Sequence, residues 1–166
     1  MSPPLRLPAR LGALLLTLLA ATACAAGPDT AEPFEYLQQA DVTILSGERS
    51  HEFRVWIADT PLRRSRGLMF IRELSPDRGM LFLYDFPQFA YFWMQNTYVS
   101  LDLLFIGPEG RIVNIAEHTT PLSTRLIESE APVAAVLEVI AGTVDELGIR
   151  VGDRVLQQAP VPAAPR

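Results

Sequence analysis

Between residues 41 and 158 the apolar residues come in short extended runs separated by turn residues, and this spacing limits the fold more than any other feature. VTIL (42–45), EFRVWIA (52–58), GMLFLYDF (79–86), FAYFWM (89–94), LDLLFI (101–106), RIVNIAEH (111–118) and PVAAVLEVIAG (132–142) are strand-length rather than helix-length. In EFRVWIA, Phe53, Val55 and Ile57 alternate with Glu52, Arg54 and Trp56, which predicts one buried face. GPEG (107–110) has turn composition and joins its flanking runs as a hairpin. The stretch 89–106 reads as two strands, FAYFWM and LDLLFI, joined by the polar turn QNTYVS.

Two helical signals interrupt these runs. Thr60 followed by Pro61 supplies an N-cap and a first helical residue, predicting a short helix over 61–71 that Gly67 weakens. Thr143 and Glu146 have capping-box spacing and Gly148 fits a C-terminal stop, so TVDELG is one helical turn. GDRVLQQ (152–158) closes the chain as a turn and a strand. The sum is a mainly β (α+β) fold, a compact twisted or barrel-like, largely antiparallel sheet with two short helices. Residues 41–158 have the size of a single domain.

The flanks do not belong to that domain. Residues 1–10 carry Arg6 and Arg10 and no acid, residues 11–21 are apolar, and small residues follow in ATACAAG. That order predicts a secretory signal peptide over 1–23, too short in its apolar part to span a bilayer. LAATAC resembles a bacterial lipobox, which makes Cys24 the expected site of lipidation and the membrane an expected partner through that lipid. Ordinary signal cleavage after Ala23 or Ala25, releasing a soluble periplasmic protein, is the alternative. Residues 24–40 read as a flexible tether and 159–166 as a disordered tail. The expected localisation is the periplasm or cell envelope.

Composition narrows the chemistry. Residues 24–166 hold 12 arginines, no lysine and 19 acids, a net charge of −7 without a basic cluster, which argues against a nucleic-acid partner. A single cysteine makes no internal disulfide and no cysteine-clustered zinc site. His51 and His118 lie far apart outside any metal motif, and adjacent Glu117 and His118 would point to opposite faces of a strand. No cofactor or metal is expected.

The succession TPLRRSRGLMF (60–70), REL…RGMLF (72–82), FWMQNT…LDLLFI (92–106) and APVAAVLEVIAGTVDELGIRVGD (131–153) resembles the domain-of-unknown-function 192 family, small bacterial and archaeal proteins that are often exported. The resemblance covers residues 41–158. This chain has Gln95 where the family often has Lys, and Val99-Ser100 where it often has Ile-Pro. The resemblance implies a compact β-rich fold and no established activity.

Chemistry must therefore be sought in the residues. Glu138 interrupts the apolar run VLEVI and shares a face with Val136 and Ile140, so it needs a partner or a raised pKa. Arg66 is the expected partner, in an ion pair that braces helix against sheet. Asp102 shares a face with Leu104 and Ile106 and is placed to bond turn backbone at 97–100. Asn96 and Thr97 fit a turn. Trp93 and Met94 read as core, or as the apolar floor of a pocket suited to a sugar ring or another flat ligand. Arg66, Trp93, Asn96, Thr97, Asp102 and Glu138 thus form a candidate ligand-binding cluster for an unknown small-molecule or protein partner. The leading reading is a non-catalytic binding or accessory module of the envelope. One alternative is a hydrolase drawing an acid/base pair from Asp102, Glu117 and Glu138. The other is a purely structural envelope lipoprotein.

Overall fold

The structure, a computed structural model, describes Phe34 and residues 37–157. The expected signal peptide, Cys24, most of the expected tether, residue 158 and the expected tail (159–166) lie outside these residues.

Nine strands and two short helices follow one another along the described chain. β1 (Gln39–Ser46) and β2 (Arg49–Ala58) form an antiparallel hairpin around Gly47, whose φ of +60° suits a residue without a side chain. β1 begins two residues inside the stretch expected as tether, and Leu37 before it is already buried. α1 (Pro61–Arg66) has the expected cap, with Thr60 Oγ1 accepting from Arg63 N at 3.2 Å. It stops at Arg66, short of the expected end at 71. Gly67 turns the chain at φ +49°, and a Cβ there would lie 3.1 Å from the Phe82 ring.

β3 (Arg78–Gln88) runs parallel to β2 and antiparallel to β8 (Val133–Ile140). β5 (Leu101–Ile106) pairs with β8 on one side and, through the 107–110 turn, with β6 (Ile112–Ala116) on the other. β9 (Arg154–Gln157) adds to β1. The result is a seven-stranded sheet ordered β6-β5-β8-β3-β2-β1-β9. It is a curled half-barrel, and its two edge strands meet where Ile112 N donates to Asp153 O and Val155 N to Gly110 O.

The expected hairpin between FAYFWM and LDLLFI does not form. Within 89–94 only Tyr91–Phe92 is a strand, β4, and it pairs with β7 (Ile127–Glu128) in a separate two-stranded sheet. The QNTYVS segment is held elsewhere. Asn96 adopts φ +57° and its carbonyl accepts from Phe70 N, while Thr97 O accepts from Leu122 N. The chain is thereby led across the sheet face before it enters β5. Ala90, Phe92 and Met94 point down onto that face, and Phe89, Tyr91 and Trp93 point away.

Two apolar clusters result. One contains Val42, Phe53, Val55, Leu81, Leu104, Leu137 and Val139. The other contains Leu68, Met80, Phe82, Phe92, Met94, Leu103, Phe105 and Val136, with the crossing segment packed onto it. The alternation of β5 and β8 sends successive residues to opposite clusters, which decides where the two buried acids go.

The second helix departs from its expected cap. α2 (Thr143–Leu147) is preceded by Gly142 at φ +90°, and Thr143 Oγ1 donates to Ile140 O instead of capping. Asp102 of β5 supplies the missing acceptor, taking Val144 N at 3.1 Å. Gly148 closes the helix in the left-handed region, as expected.

Candidate functional site

Glu138 lies in the interior of β8. The residues directly opposite it are Met80 on β3 and Leu103 on β5, so its side chain leaves the sheet among apolar neighbours. It is 4 % exposed, and its Oε2 makes no hydrogen bond. Burial pushes its pKa up to about 8, so the group is uncharged at neutral pH. The expected bracing ion pair with Arg66 is absent; no cation pairs with Glu138 among the described residues. Arg66 instead places its guanidinium 4.7 Å from the Phe34 ring centre.

Above Glu138 opens a cleft of about 270 Å³. One wall is the end of α1 and the following turn, residues 64–69; the other is the crossing segment with Tyr91, Phe92, Trp93 and Thr97. Phe82 and Tyr84 of β3 complete an aromatic lining. Phe82 and Phe92 meet edge-to-face at 4.9 Å, a contact that fixes the crossing segment against the sheet. Trp93, expected as core or as the apolar floor of a pocket, is 47 % exposed, because the alternation of 89–94 turns it outward, and it lines the cleft.

At one end of the lining Arg64 lies 5.3 Å from the Tyr84 ring centre. Its Nη1 donates to Asp59 O at 2.7 Å and Leu83 O at 2.8 Å. Both acceptors are neutral carbonyls, and no carboxylate pairs with Arg64 among the described residues. The Tyr84 hydroxyl is pushed above its ordinary pKa by burial, with Arg64 opposing and Glu138 adding to the shift. Tyr84 is therefore coupled to Arg64 and, once that carboxyl ionises, to Glu138.

Four of the six residues expected to cluster, Arg66, Trp93, Thr97 and Glu138, line this cleft. Asn96 and Asp102 do not. Asn96 is exposed in its turn, with Nδ2 4.0 Å from Met69 Sδ. Asp102 is fully buried and pairs across β5 and β8 with Val139, whereas its neighbour Leu103 pairs with Glu138. The two acids thus leave opposite faces of the sheet. Asp102 bonds not the 97–100 turn but His118 N at 2.9 Å and Val144 N at 3.1 Å. The reason is that β5 runs beside the exits of β6 and β8, whose amides lack ladder partners there. Both oxygens of Asp102 are engaged within the fold, on the sheet face opposite Glu138.

Glu117 is exposed and remote from the cleft lining. It converges with His118 and Asp145, their ligand atoms lying within 4.8 Å of one another. The expectation that Glu117 and His118 point apart fails because His118, past the end of β6, has φ +50° and breaks the alternation. His118 Nε2 lies 3.1 Å from Asp145 Oδ2, and that hydrogen bond raises the imidazole pKa. All three groups are exposed, so the cluster has metal-ligand spacing without an enclosed site.

Nothing in the sequence motifs marks Tyr84, Tyr91 or Arg64 as cleft residues. The signal available was the alternation Phe89, Tyr91, Trp93 on one side of FAYFWM, which gives three outward aromatics in a row.

Residues 42–157 match the DUF192 family, described as an uncharacterized ACR. The chain belongs to the DUF192 family. It is similar to a protein of Sinorhizobium meliloti 1021, provisionally described as a transcription regulator, with 41 % identity and a TM-score of 0.71 over 73 % of this chain and 95 % of that one. It is also similar to a protein of unknown function from Novosphingobium aromaticivorans DSM 12444. That match has 39 % identity and a TM-score of 0.73, and it covers 80 % of this chain and 94 % of the other. No curated protein matches the chain.

Proposed function

We propose that this DUF192 protein is an exported, non-catalytic binding module. Its cleft over Glu138 holds a small ligand, and Cys24 carries the lipid that tethers it to a membrane of the envelope. The observation that carries the binding reading is Glu138 Oε2, a buried oxygen with no partner beneath an open aromatic cleft. A buried polar atom left unsatisfied costs about 1–3 kcal/mol, and a ligand donor that reaches it recovers that cost. The cleft lies at the small end of ligand sites, and aromatic walls with a few polar groups are their usual make-up.

The lining holds one carboxyl group and neither histidine nor cysteine, which supports binding over acid/base hydrolysis. The acidic mature chain supports a small-molecule ligand over nucleic acid, despite the provisional description of the Sinorhizobium relative. Thermal shift of the purified protein against free sugars, amino acids, phosphoesters and aromatic acids tests the binding reading. At least one compound should raise Tm in the wild type and lose its effect in Glu138→Gln, with the compound recovered unchanged. No stabiliser in the whole panel, or conversion of the stabiliser to product, would overturn it. Fatty-acid labelling that is lost in Cys24→Ser supports the tether, and an unlabelled wild type removes it.

A further inference from the structure

The arrangement of charge along the cleft says more about the ligand than its volume does. Among the described residues Glu138 in the lining has no counter-cation and Arg64 no counter-anion, and Tyr84 is coupled to both. Arg64 uses only Nη1 in its two carbonyl bonds. Its Nε and Nη2 protons remain for another acceptor and are not buried. The lining also includes Tyr84, Tyr91, Phe92 and Trp93.

Resting on the binding reading above, we infer that the ligand is a small zwitterion, its ammonium group seated on Glu138 between the aromatic walls and its phosphate or carboxylate facing Arg64. An ammonium is the group that both a buried carboxylate and aromatic faces attract. A planar guanidinium with two free N–H directions is suited to a carboxylate or phosphate. A simple cation would leave Arg64 unmatched, and a simple anion held at Arg64 would leave the bare Glu138 oxygen without a donor. A neutral sugar would use the aromatic walls but neither charge. The dipolar ligand satisfies both ends at once.

Ammonium binding also moves a proton. Free Glu138 carries one at neutral pH because it is buried; pairing with the ammonium breaks its O–H bond and the proton passes to solvent. The other titratable or charged groups facing the cleft are Tyr84, Tyr91, Arg64 and Arg66.

The same dipolar chemistry is offered by a free metabolite and by a lipid headgroup. Calorimetry on the full purified protein at pH 7 uses phosphoethanolamine and glycine as zwitterions. Ethanolamine, glycerol phosphate and glucose serve as cation-only, anion-only and neutral controls. Vesicles of phosphatidylethanolamine with phosphatidylglycerol, against phosphatidylglycerol alone, report the lipid source. The expected result is that a zwitterion, free or displayed on the vesicle, binds at least tenfold tighter than either half-ligand. Between buffers of different ionisation enthalpy, that binding should release about one proton. In folded Glu138→Gln both the preference and the proton release should vanish. Glucose binding as well as any zwitterion, with no proton release and dependence on Trp93 alone, would overturn the zwitterion and leave the binding reading intact. Failure of every probe here, with a stabiliser found in the broader panel, would likewise overturn only the zwitterion. Failure of that panel too would overturn both.

Discussion

Asp102 and Glu138 lie on adjacent strands with their registers one residue apart, yet they face opposite sides of the sheet, because Leu103 rather than Asp102 stands opposite Glu138. One acid is saturated by two backbone amides and the other has a bare oxygen under a cleft. Their variants should therefore behave in opposite ways.

Asp102→Ala leaves the buried amide of Val144 and the amide of His118 without their acceptor. We expect a loss of about 2–4 kcal/mol, read as a lower denaturant midpoint with an unchanged slope. Ligand affinity of the remaining folded protein should be unaffected. A stable variant with impaired binding would place Asp102 in the site after all.

Glu138→Gln should stabilise the protein at alkaline pH. Below pH 4.5 both folded and unfolded chains hold the proton. Between 4.5 and about 8 the unfolded chain releases it and the folded chain retains it. Wild-type stability therefore falls as pH rises through that window and levels off above it, by several kcal/mol at most. The difference between wild type and variant in urea unfolding from pH 4 to 9 isolates the effect of this one group.

Trp93→Ala removes a half-exposed ring, so stability should stay within about 0.5 kcal/mol. Affinity for the cleft ligand should fall by tenfold or more, the equivalent of about 1.4 kcal/mol. Parallel thermal melts and binding isotherms check both halves.

Gly79→Ala should cost about 1–3 kcal/mol, because a Cβ at Gly79 would collide with the backbone carbonyl of Glu138 across the β3–β8 ladder. The nearest atom is backbone and cannot swing aside as the end of a flexible side chain could. The displacement would also disturb the floor of the cleft, so ligand binding should weaken together with Tm.

Much of the fold was legible because its signals are local. The alternation of β2, the Thr60–Pro61 cap and the 107–110 turn each depend on neighbours in sequence. What failed depended on distant partners. FAYFWM has the pattern of a sheet strand, but the left-handed Asn96 and the amides of Phe70 and Leu122 carry it over the sheet. Thr143 and Glu146 have capping-box spacing, but Asp102, far away in sequence, already fills the acceptor role. Charge alone matches Arg66 to Glu138, and periodicity does not say where a long side chain ends. For the site, the anomaly of Glu138 was readable from its apolar flanks. The cleft above it was not, because its walls come from α1, β3 and the crossing segment.

The most direct measurement is the titration of the Glu138 carboxyl itself, followed by ¹³C NMR in the ligand-free protein and assigned by the signal lost in Glu138→Gln. A carboxyl buried under the cleft with its Oε2 unpartnered should titrate near 8. A midpoint at the ordinary glutamate value near 4.5 would mean that water or a counter-cation already serves it. The cleft would then have lost the feature that marks it as a binding site.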